Sequence, residues 1–507
     1  MTKRSCVSLL FFCTSLCFAQ IRSDFLLADS ASGPNLTLTG DKKLYVAWVN
    51  THDSNIPNVV FNIFDDMFNP TRPILQMTHT YTPGAPHIAV GYGGSLISWG
   101  EANLGIGARY IYGQLLNSEG DTVGGNFRVD LADYSVADRR APDAAYLNDT
   151  SFVVTWWGNG LQTAGDLNGL YGRFGSSISG MIGPNIHLSS DRPPVNGFTE
   201  AKVAANELNG NFMAIWLERE FQTSKPLLLG RIFDQNGIPK TSSAMLTADT
   251  LYDDLWSMGI QCDANGQYVI VWSERRGTSW YIKLRRLDDK GSQVGVVENV
   301  NPDGRAEVYP YPDIAIDTNG DFLVVWEQPE NDRSKIYGQR YSRMGNAIGT
   351  NFKVSFSPDT AYHLFPSIAL RQKKIFAVWV AALISSEVQT QVWGKVLDFD
   401  NPVSKVENMP ITVPLGFSLL NNFPNPFNPA TNIEYRIELP RAHVQLDIYD
   451  VKGQLIRRLV KQTQTNGSYK VSWNGTDYTG KTLASGIYFA SLDVNGKRQV
   501  KKLVLLQ

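Results

Sequence analysis

The chain has 507 residues, more than three times the ~150 residues typical of one domain, so at least two domains are expected. Hydrophobic residues make up 43% of the sequence and charged residues only 19%, which excludes disorder as the main state. The 46 Lys and Arg residues against 48 Asp and Glu give a net charge of -2. Without a basic excess, nucleic acid is not expected as a partner.

Residues 1–19 have the three parts of a signal peptide. Two positive charges in residues 1–4 precede an apolar run over residues 5–18, and Cys17 and Ala19 supply the small residues that a signal peptidase reads, so Gln20 is the predicted mature start. Lipid modification of Cys17 is the alternative, but Leu16 stands where a small residue is expected. The apolar run is too short to span a membrane, and no later stretch predicts a transmembrane helix.

Cys262 is the one cysteine outside this predicted signal peptide. It lies in an apolar stretch, which favours a buried small side chain over a nucleophile.

Residues 20–400 contain a repeat with a spacing of 51–60 residues. Each copy has an apolar strand that ends in a tryptophan, and these residues are Trp48, Trp99, Trp156, Trp216, Trp272, Trp326 and Trp379. A strand usually opened by proline precedes each tryptophan, a third strand and a short fourth strand follow it, and turns such as Asn319-Gly320 separate the first two. Such a repeat is typical of an all-β, seven-bladed β-propeller, in which the tryptophans pack between neighbouring sheets.

The ends of this repeat predict how the ring closes. The seventh copy leaves the pattern after Asp398 without a fourth strand, whereas residues 24–29 resemble the fourth strands of other copies. We therefore expect this N-terminal strand to complete the last blade and to cover an exposed sheet edge. An open array or a two-layer solenoid is the alternative.

A linker over residues 401–418 leads to residues 419–507, where alternating polar and apolar residues predict a small Ig-like β-sandwich. This segment contains several separated motifs: Asn421 to Pro429 (Asn-Asn-Phe-Pro-Asn-Pro-Phe-Asn-Pro), Ile448 to Gly453 (Ile-Tyr-Asp-Val-Lys-Gly), Val471 to Gly475 (Val-Ser-Trp-Asn-Gly), Ala484 to Phe489 (Ala-Ser-Gly-Ile-Tyr-Phe) and Lys501 to Leu506 (Lys-Lys-Leu-Val-Leu-Leu). In this order they resemble the type A C-terminal sorting domain of type IX (Por) secretion cargo.

The resemblance implies export in two stages. The signal peptide would cross the inner membrane, and the outer-membrane translocon, a protein partner, would then read the C-terminal domain. In this family the domain is commonly removed, and the passenger is either released or attached to surface glycolipid; the sequence does not decide between these fates. The repeats, for example Phe322 to Ser355, also resemble those of bacterial surface proteins, which indicates architecture and no chemistry.

Known catalytic motifs are missing from the sequence. It contains no Gly-x-Ser-x-Gly, phosphate loop, Cys-x-x-Cys, His-Glu-x-x-His or sialidase Asp box, and its six histidines do not pair at ligand spacing. Asp313, Asp317, Asn319 and Asp321 form an oxygen-rich run, but it lacks the Glu and Gly spacing of an EF-hand, so a turn is the preferred interpretation over calcium binding. We expect no cofactor and no metal.

Two sets of residues are predicted at one rim of the propeller, where the loops between second and third strands meet the blade-to-blade links. Four acids follow a repeat tryptophan by one or two residues, and either catalysis or ion pairing with a neighbouring arginine would explain them: Glu101, Glu218, Glu274 and Glu327. Aromatic residues fill the links between blades: Tyr81, Tyr134, Tyr252, Trp256, Tyr309, Tyr311, Tyr362 and Phe365. The opposite face has short, uniform turns, so we expect a site on the rim.

Together these features predict a secreted or cell-surface protein whose passenger is a binding or adhesion module for an extracellular glycan or protein. The alternative is a secreted carbohydrate-active hydrolase or lyase that uses the rim acids.

Overall fold

The computed structural model describes residues 22–402 and 417–506, except residues 42, 51–56, 78–81, 104–107, 132–138, 159–168, 191–196, 220–224, 305, 307–308, 385–387, 420–421, 423, 426, 438, 440, 451–453 and 496. Two compact units divide the chain, Met1–Pro410 and Ile411–Gln507, and each is described by itself. The predicted signal peptide and most of the predicted linker lie outside the described residues. Within the described ranges the regular structure is all β, as predicted, with no helix.

The described residues of the first unit form seven antiparallel sheets. Strand β1 (Arg22–Asp29) comes first, and sheet 1 follows with β2 (Ala31–Leu38), β3 (Leu44–Asn50), β4 (Asn58–Phe64) and β5 (Leu75–Met77). Sheet 2 contains β6 (Thr82–Pro83), β7 (His87–Gly91), β8 (Gly94–Asn103), β9 (Ala108–Leu116) and β10 (Thr122–Arg128). Sheet 3 contains β11 (Arg139–Tyr146), β12 (Ser151–Gly158), β13 (Gly169–Ser176) and β14 (Gly180–His187).

Sheet 4 contains β15 (Gly197–Asn206), β16 (Asn211–Arg219), β17 (Pro226–Phe233) and β18 (Ala244–Met245). Sheet 5 contains β19 (Asp254–Cys262), β20 (Tyr268–Arg276), β21 (Ser279–Leu287) and β22 (Gln293–Asn299). Sheet 6 contains β23 (Asp313–Ile316), β24 (Phe322–Glu330), β25 (Arg333–Tyr341) and β26 (Ala347–Lys353). Sheet 7 contains β27 (Tyr362–Arg371), β28 (Lys374–Ile384) and β29 (Val388–Asp398), with β1 as its fourth strand.

One strand from each sheet takes part in a closed cycle of contacts. Strands β2, β7, β11, β15, β19, β23 and β27 touch in that order, and β27 returns to β2. We call these the inner strands and the space that they surround the axis. Sheets arranged radially about an axis define a β-propeller.

The N-terminal strand joins the last sheet, as predicted. Phe25 lies opposite Gly394 in the ladder between β1 and β29, and a Cβ atom added at Gly394 would lie 2.9 Å from the Phe25 ring. Asp24 forms a buried ion pair with Lys395 at 2.8 Å and accepts a hydrogen bond from the Ser357 N–H at 2.6 Å. The pairing leaves β29 with a neighbour on each side.

The repeat tryptophans fill the spaces between sheets, which confirms the packing predicted for them. All seven are at most 2% exposed. Each lies in an apolar cluster that its own sheet shares with the preceding one; Trp48, for example, packs with Phe376 and Val392 of sheet 7, and Trp99 packs with Tyr45 and Phe61 of sheet 1. Large rings at the same point of every repeat therefore supply the apolar contact between neighbouring sheets.

Hairpins with positive-φ glycines connect many of the neighbouring strands. Gly266 has φ +81°, and its N–H donates to the Asp263 carbonyl at 3.0 Å, so this hairpin is closed by glycine as its Asn-Gly sequence predicts. In the oxygen-rich run, Asp317 accepts the Gln372 N–H at 3.0 Å and Asp321 pairs with Lys373 at 3.1 Å. Turn formation and contacts between sheets therefore account for these two carboxylates.

The second unit is a sandwich of two sheets. One contains β30 (Phe417–Leu419), β31 (Thr431–Ile437) and β34 (Gly467–Trp473), and the other contains β33 (Leu455–Gln464), β32 (Ala442–Tyr449), β35 (Gly486–Val494) and β36 (Lys497–Leu505), in spatial order. Strand β30 includes residues 417 and 418, which the sequence analysis assigned to the linker. Trp473 and Tyr488 pack in the core, 5.5 Å apart between ring centroids.

Two of the sandwich motifs, far apart in sequence, meet at strand β36, the edge of the four-stranded sheet. The Asn425 side chain accepts a hydrogen bond from the Val504 N–H at 2.8 Å and donates one to the Lys502 carbonyl at 3.2 Å. Asn425 therefore satisfies part of the edge strand β36, which would otherwise be open to pairing with another chain.

Candidate functional site at the rim and axis

Second-to-third loops and links between sheets meet at one rim, as the strand order requires. In sheet 5, the Gly277 N–H donates to Asp253 of the preceding link at 2.6 Å, and Arg276 pairs with Asp249 of the same link at 3.0 Å. The loop and the link are thus fixed to each other, and the rim can hold side chains in defined positions.

Five aromatic rings form a continuous row along this rim over sheets 5 to 7. We call them the aromatic arc. The centroid distances are 5.5 Å from Trp280 to Tyr309, 4.5 Å from Tyr309 to Trp256, 6.2 Å from Trp256 to Tyr311 and 4.8 Å from Tyr311 to Phe365. Three of the predicted binding residues, together with Phe365, are therefore brought into one cluster.

The arc is buried at its base and open at two positions. Trp280 is only 3% exposed, whereas Tyr309 and Phe365 are 46% and 40% exposed. Both exposed residues have positive φ values, +60° and +52°, which non-glycine residues rarely adopt. Exposed apolar rings on a well-packed base provide a surface on which a flat apolar ligand face can stack.

The remaining predicted aromatic residues do not join the arc. Tyr252 is 4% exposed and donates its hydroxyl to the Pro226 carbonyl at 2.9 Å, so its predicted role in ligand stacking is corrected to one in packing. Tyr362 is half-buried under the Arg333 guanidinium, 5.0 Å from the ring centroid. Tyr81 and Tyr134 lie outside the described residues.

Three of the predicted acids hold the repeat tryptophans. The indole N–H groups of Trp99, Trp216 and Trp272 donate to Glu101, Glu218 and Glu274 at 2.9, 2.9 and 3.1 Å. These acids are 1–3% exposed. A separation of two residues puts both side chains on the same face of a strand, which is why the Trp-x-Glu spacing produces this bond. The acids lie inside separate sheets rather than at an open mouth.

The ion pairs predicted for these acids involve other partners. Arg276, rather than Arg275, pairs with Glu274, at 2.6 Å, because residues two apart share a face. Arg219 pairs with Asp254 of the next sheet at 3.3 Å.

Glu327 differs from the other three because it follows its tryptophan directly. The Trp326 indole therefore donates to Gln328, at 3.3 Å. Glu327, 2% exposed, accepts the Phe365 N–H at 2.6 Å and so positions the end of the aromatic arc.

A polar ring around the axis was not foreseen from the sequence. In four repeats the residue after the opening proline accepts the N–H of the next inner strand: Asn35 from Ile88 at 2.9 Å, Asp143 from Val203 at 2.8 Å, Asp313 from Ile368 at 2.9 Å and Ser367 from Leu36 at 3.0 Å. We call these residues the axial ring. Each of these side chains accepts a backbone N–H of the next sheet and so links two neighbouring sheets.

Charged residues at the axis form what we call the axial cluster: His87, Asp143, Glu200, Lys202 and Asp313. His87 Nε2 lies 2.7 Å from Asp143, and Lys202 Nζ lies 3.6 Å from Glu200. Glu200 also accepts bonds from the Ser257 hydroxyl at 2.7 Å and the Met258 N–H at 3.2 Å. The cluster draws on sheets 2, 3, 4 and 6.

The carboxyl pKa values in this cluster diverge. Burial raises the pKa of Asp313 from 3.8 to about 6, and it also raises that of Glu200. Burial opposes ionisation of Asp143 as well, but His87 and Lys202 outweigh it and lower its pKa. Burial likewise disfavours the Lys202 ammonium, yet Asp143, Glu200 and Asp313 together raise its pKa. Desolvation and neighbouring charges thus act in opposite directions at one place, as is common at functional sites.

Other predicted features contribute no site. Burial raises the pKa of the half-buried Cys262 thiol, which disfavours the reactive thiolate. Among the described residues, no group of three or more His, Cys, Asp or Glu side chains could hold a metal ion. The same residues contain no helix long and apolar enough to cross a membrane.

Comparisons with known proteins give one family match and several distant structural similarities. The family model for the FlgD Ig-like domain matches residues 427–497, within the sandwich. No curated protein matches the sequence. The Penicillium chrysogenum α-L-arabinanase complexed with arabinobiose is similar at 11% identity, over 76% of this chain and 100% of that chain, with a TM-score of 0.44.

Two further solved structures are similar at low identity. The polysaccharide lyase family PL25 ulvan lyase matches at 9% identity over 73% of this chain and 94% of that chain, with a TM-score of 0.48. PorZ, a surface component of the type IX secretion system of Porphyromonas gingivalis, matches at 13% identity over 96% and 74%, with a TM-score of 0.30. At such identities the likeness concerns the fold alone.

Proposed function

We propose that this chain is an extracellular β-propeller that binds a glycan on its aromatic arc and is exported by the type IX secretion system through its C-terminal sandwich. The observation that carries the binding role is the pair of exposed rings, Tyr309 and Phe365, at the open edge of a packed aromatic row. Sugar rings have apolar faces that can stack on such side chains.

The geometry of the acids supports binding over the alternative of hydrolysis or elimination by the rim carboxylates. Glu101, Glu218 and Glu274 are buried, and each accepts an indole N–H bond inside its own sheet. A glycosidase needs two carboxyl groups facing the same bond of the substrate.

The binding role is tested with the purified chain on a glycan array, followed by titration of the best-bound glycan. We expect Tyr309→Ala and Phe365→Ala each to weaken binding by about fivefold or more, corresponding to about 1–3 kcal/mol per stacked ring. Tyr92→Ala is the matched control, because Tyr92 is 79% exposed in the turn between β7 and β8, at the opposite face. Absence of any bound glycan, or equal losses in all three variants, would refute the binding role.

The export role rests on the sequence motifs of residues 419–507 and on the sandwich that they form. Fusing residues 411–507 to a folded fluorescent reporter behind a signal peptide should carry the reporter outside a host that has the type IX system. The same fusion in a translocon-deficient host should leave the reporter in the periplasm. Equal reporter release from both hosts would contradict the assignment.

A further inference from the structure

The axial cluster carries more negative than positive charge. Asp143, Glu200 and Asp313 supply three carboxyl groups, whereas Lys202 is the ammonium shared among them and His87 pairs with Asp143. Two basic side chains therefore stand against three carboxyl groups, which leaves negative charge in excess. Burial raises the pKa of Asp313 to about 6, whereas Lys202 and His87 act in the opposite direction.

These groups lie within electrostatic range of one another although they stand on separate sheets. Lys202 on sheet 4 and His87 on sheet 2 both act electrostatically on Asp313 of sheet 6, although neither sheet is a neighbour of sheet 6. The side chains of Lys202, His87 and Glu200 keep 31%, 23% and 16% of their surface accessible to solvent. Solvent therefore reaches these three side chains.

The axial cluster adjoins the middle of the aromatic arc. Trp256 of the arc directly precedes Ser257, whose hydroxyl donates to Glu200 at 2.7 Å, and Tyr311 of the arc stands two residues before Asp313. Glu200 also lies close enough to the Tyr311 hydroxyl to act on its pKa, which burial raises. A ligand stacked on the arc would thus lie beside the carboxyl groups of the axial cluster.

We propose that the axial cluster is a polar subsite of the same glycan site, and that it selects an amino sugar by receiving its ammonium group. The inference rests on the proposed glycan binding and adds the class of sugar. An ammonium placed near Glu200 and Asp313 supplies the missing positive charge, whereas a uronate or sulfate would meet like charge. The N–H groups of the ammonium also match carboxylate acceptors in a partly desolvated site.

The test compares two ligands of equal length. The full chain is titrated by calorimetry with β-1,4-linked hexamers of glucosamine and of N-acetylglucosamine at a pH above the Asp313 pKa of about 6 and below the pKa of the sugar amines. We expect the amino hexamer to bind at least tenfold tighter, about 1.4 kcal/mol. Glu200→Gln should bring the ratio of the two affinities toward one, since Gln keeps the acceptor for Ser257 without the charge. Lys202→Met should increase the ratio. Glu119→Gln, at an exposed hairpin on the opposite face, is the matched control and should leave the ratio unchanged.

Each outcome has a distinct meaning. A ratio of one in the unmodified chain, or tighter binding of the acetylated hexamer, would overturn the amino-sugar assignment and leave glycan binding intact. Binding of neither hexamer, with another glycan bound on the array, would also overturn it. If Glu200→Gln fails to fold, an unchanged ratio in Lys202→Met would overturn the inference by itself. If no glycan binds at all, the proposed function fails with it.

Discussion

Replacing Asp313 with asparagine should stabilise the protein at alkaline pH. Ionising Asp313 in the folded protein costs free energy, because burial raises its pKa from the ordinary 3.8 to about 6. The chain already has an asparagine at the equivalent position of sheet 1, where Asn35 accepts the Ile88 N–H at 2.9 Å as Asp313 accepts that of Ile368. The substitution therefore keeps the bond between sheets and removes only the charge.

The size of the expected change in the free energy of unfolding follows from the shift in the pKa of Asp313. A folded-state pKa about two units above the unfolded value corresponds to about 3 kcal/mol between the protonated and ionised limits. Because the pKa is raised, the folded protein is favoured below pH 3.8, and this advantage is lost as the pH rises through about 6. Asp313→Asn should match the unmodified protein near pH 4 and exceed its free energy of unfolding by up to about 3 kcal/mol at pH 8.

Urea denaturation at a series of pH values measures this difference. Asp143→Asn is the matched control with the opposite sign, because the Asp143 pKa is lowered, so its carboxylate stabilises the fold above the ordinary value and this contribution fades as the pH falls. A variant Asp313→Asn that loses stability at pH 8, or a difference that does not vary with pH, would refute this account of the axis.

Three further outcomes are expected. Deleting residues 20–29 should lower the melting temperature and the free energy of unfolding by about 3–5 kcal/mol, because Lys395 is left buried without Asp24; equal melting curves would contradict closure by β1. Glu218→Ala should cost about 1–3 kcal/mol in urea denaturation by leaving the Trp216 indole N–H unsatisfied, whereas Glu218→Gln should retain most of the stability. Asn425→Ala should lower the stability of the sandwich by about 1 kcal/mol, measured by calorimetry of residues 411–507, and no change would mean that water replaces both edge bonds.

Periodic features of the fold could be predicted because every repeat must bury the same kind of apolar surface against its neighbour. Trp272 and its six counterparts recur because every pair of sheets needs a large apolar side chain at the same point. The closing strand was predictable for a related reason, since residues 24–29 copy a fourth strand that the seventh repeat lacks.

The site was less accessible to sequence reasoning because its residue types do not repeat. The residue after the opening proline differs from sheet to sheet: it is Asn35 in sheet 1, His87 in sheet 2, Asp143 in sheet 3 and Ser367 in sheet 7. The proline therefore recurs with the repeat, whereas the functional group of the next residue does not. Burial of an individual loop ring, such as Tyr252, depends on which neighbouring carbonyl its hydroxyl reaches, and no local pattern encodes this.

The double pairing of β29 has a mechanical consequence for a protein held through its C-terminal side. Any tension transmitted from residues beyond Asp398 enters the propeller along β29, which lies between β1 and β28. A strand at an edge can be peeled away one hydrogen bond at a time. Strand β29 is instead held by two ladders, one to β1 and one to β28, and both must break before it leaves. The N-terminal strand therefore doubles the number of ladders that hold the last strand of the propeller.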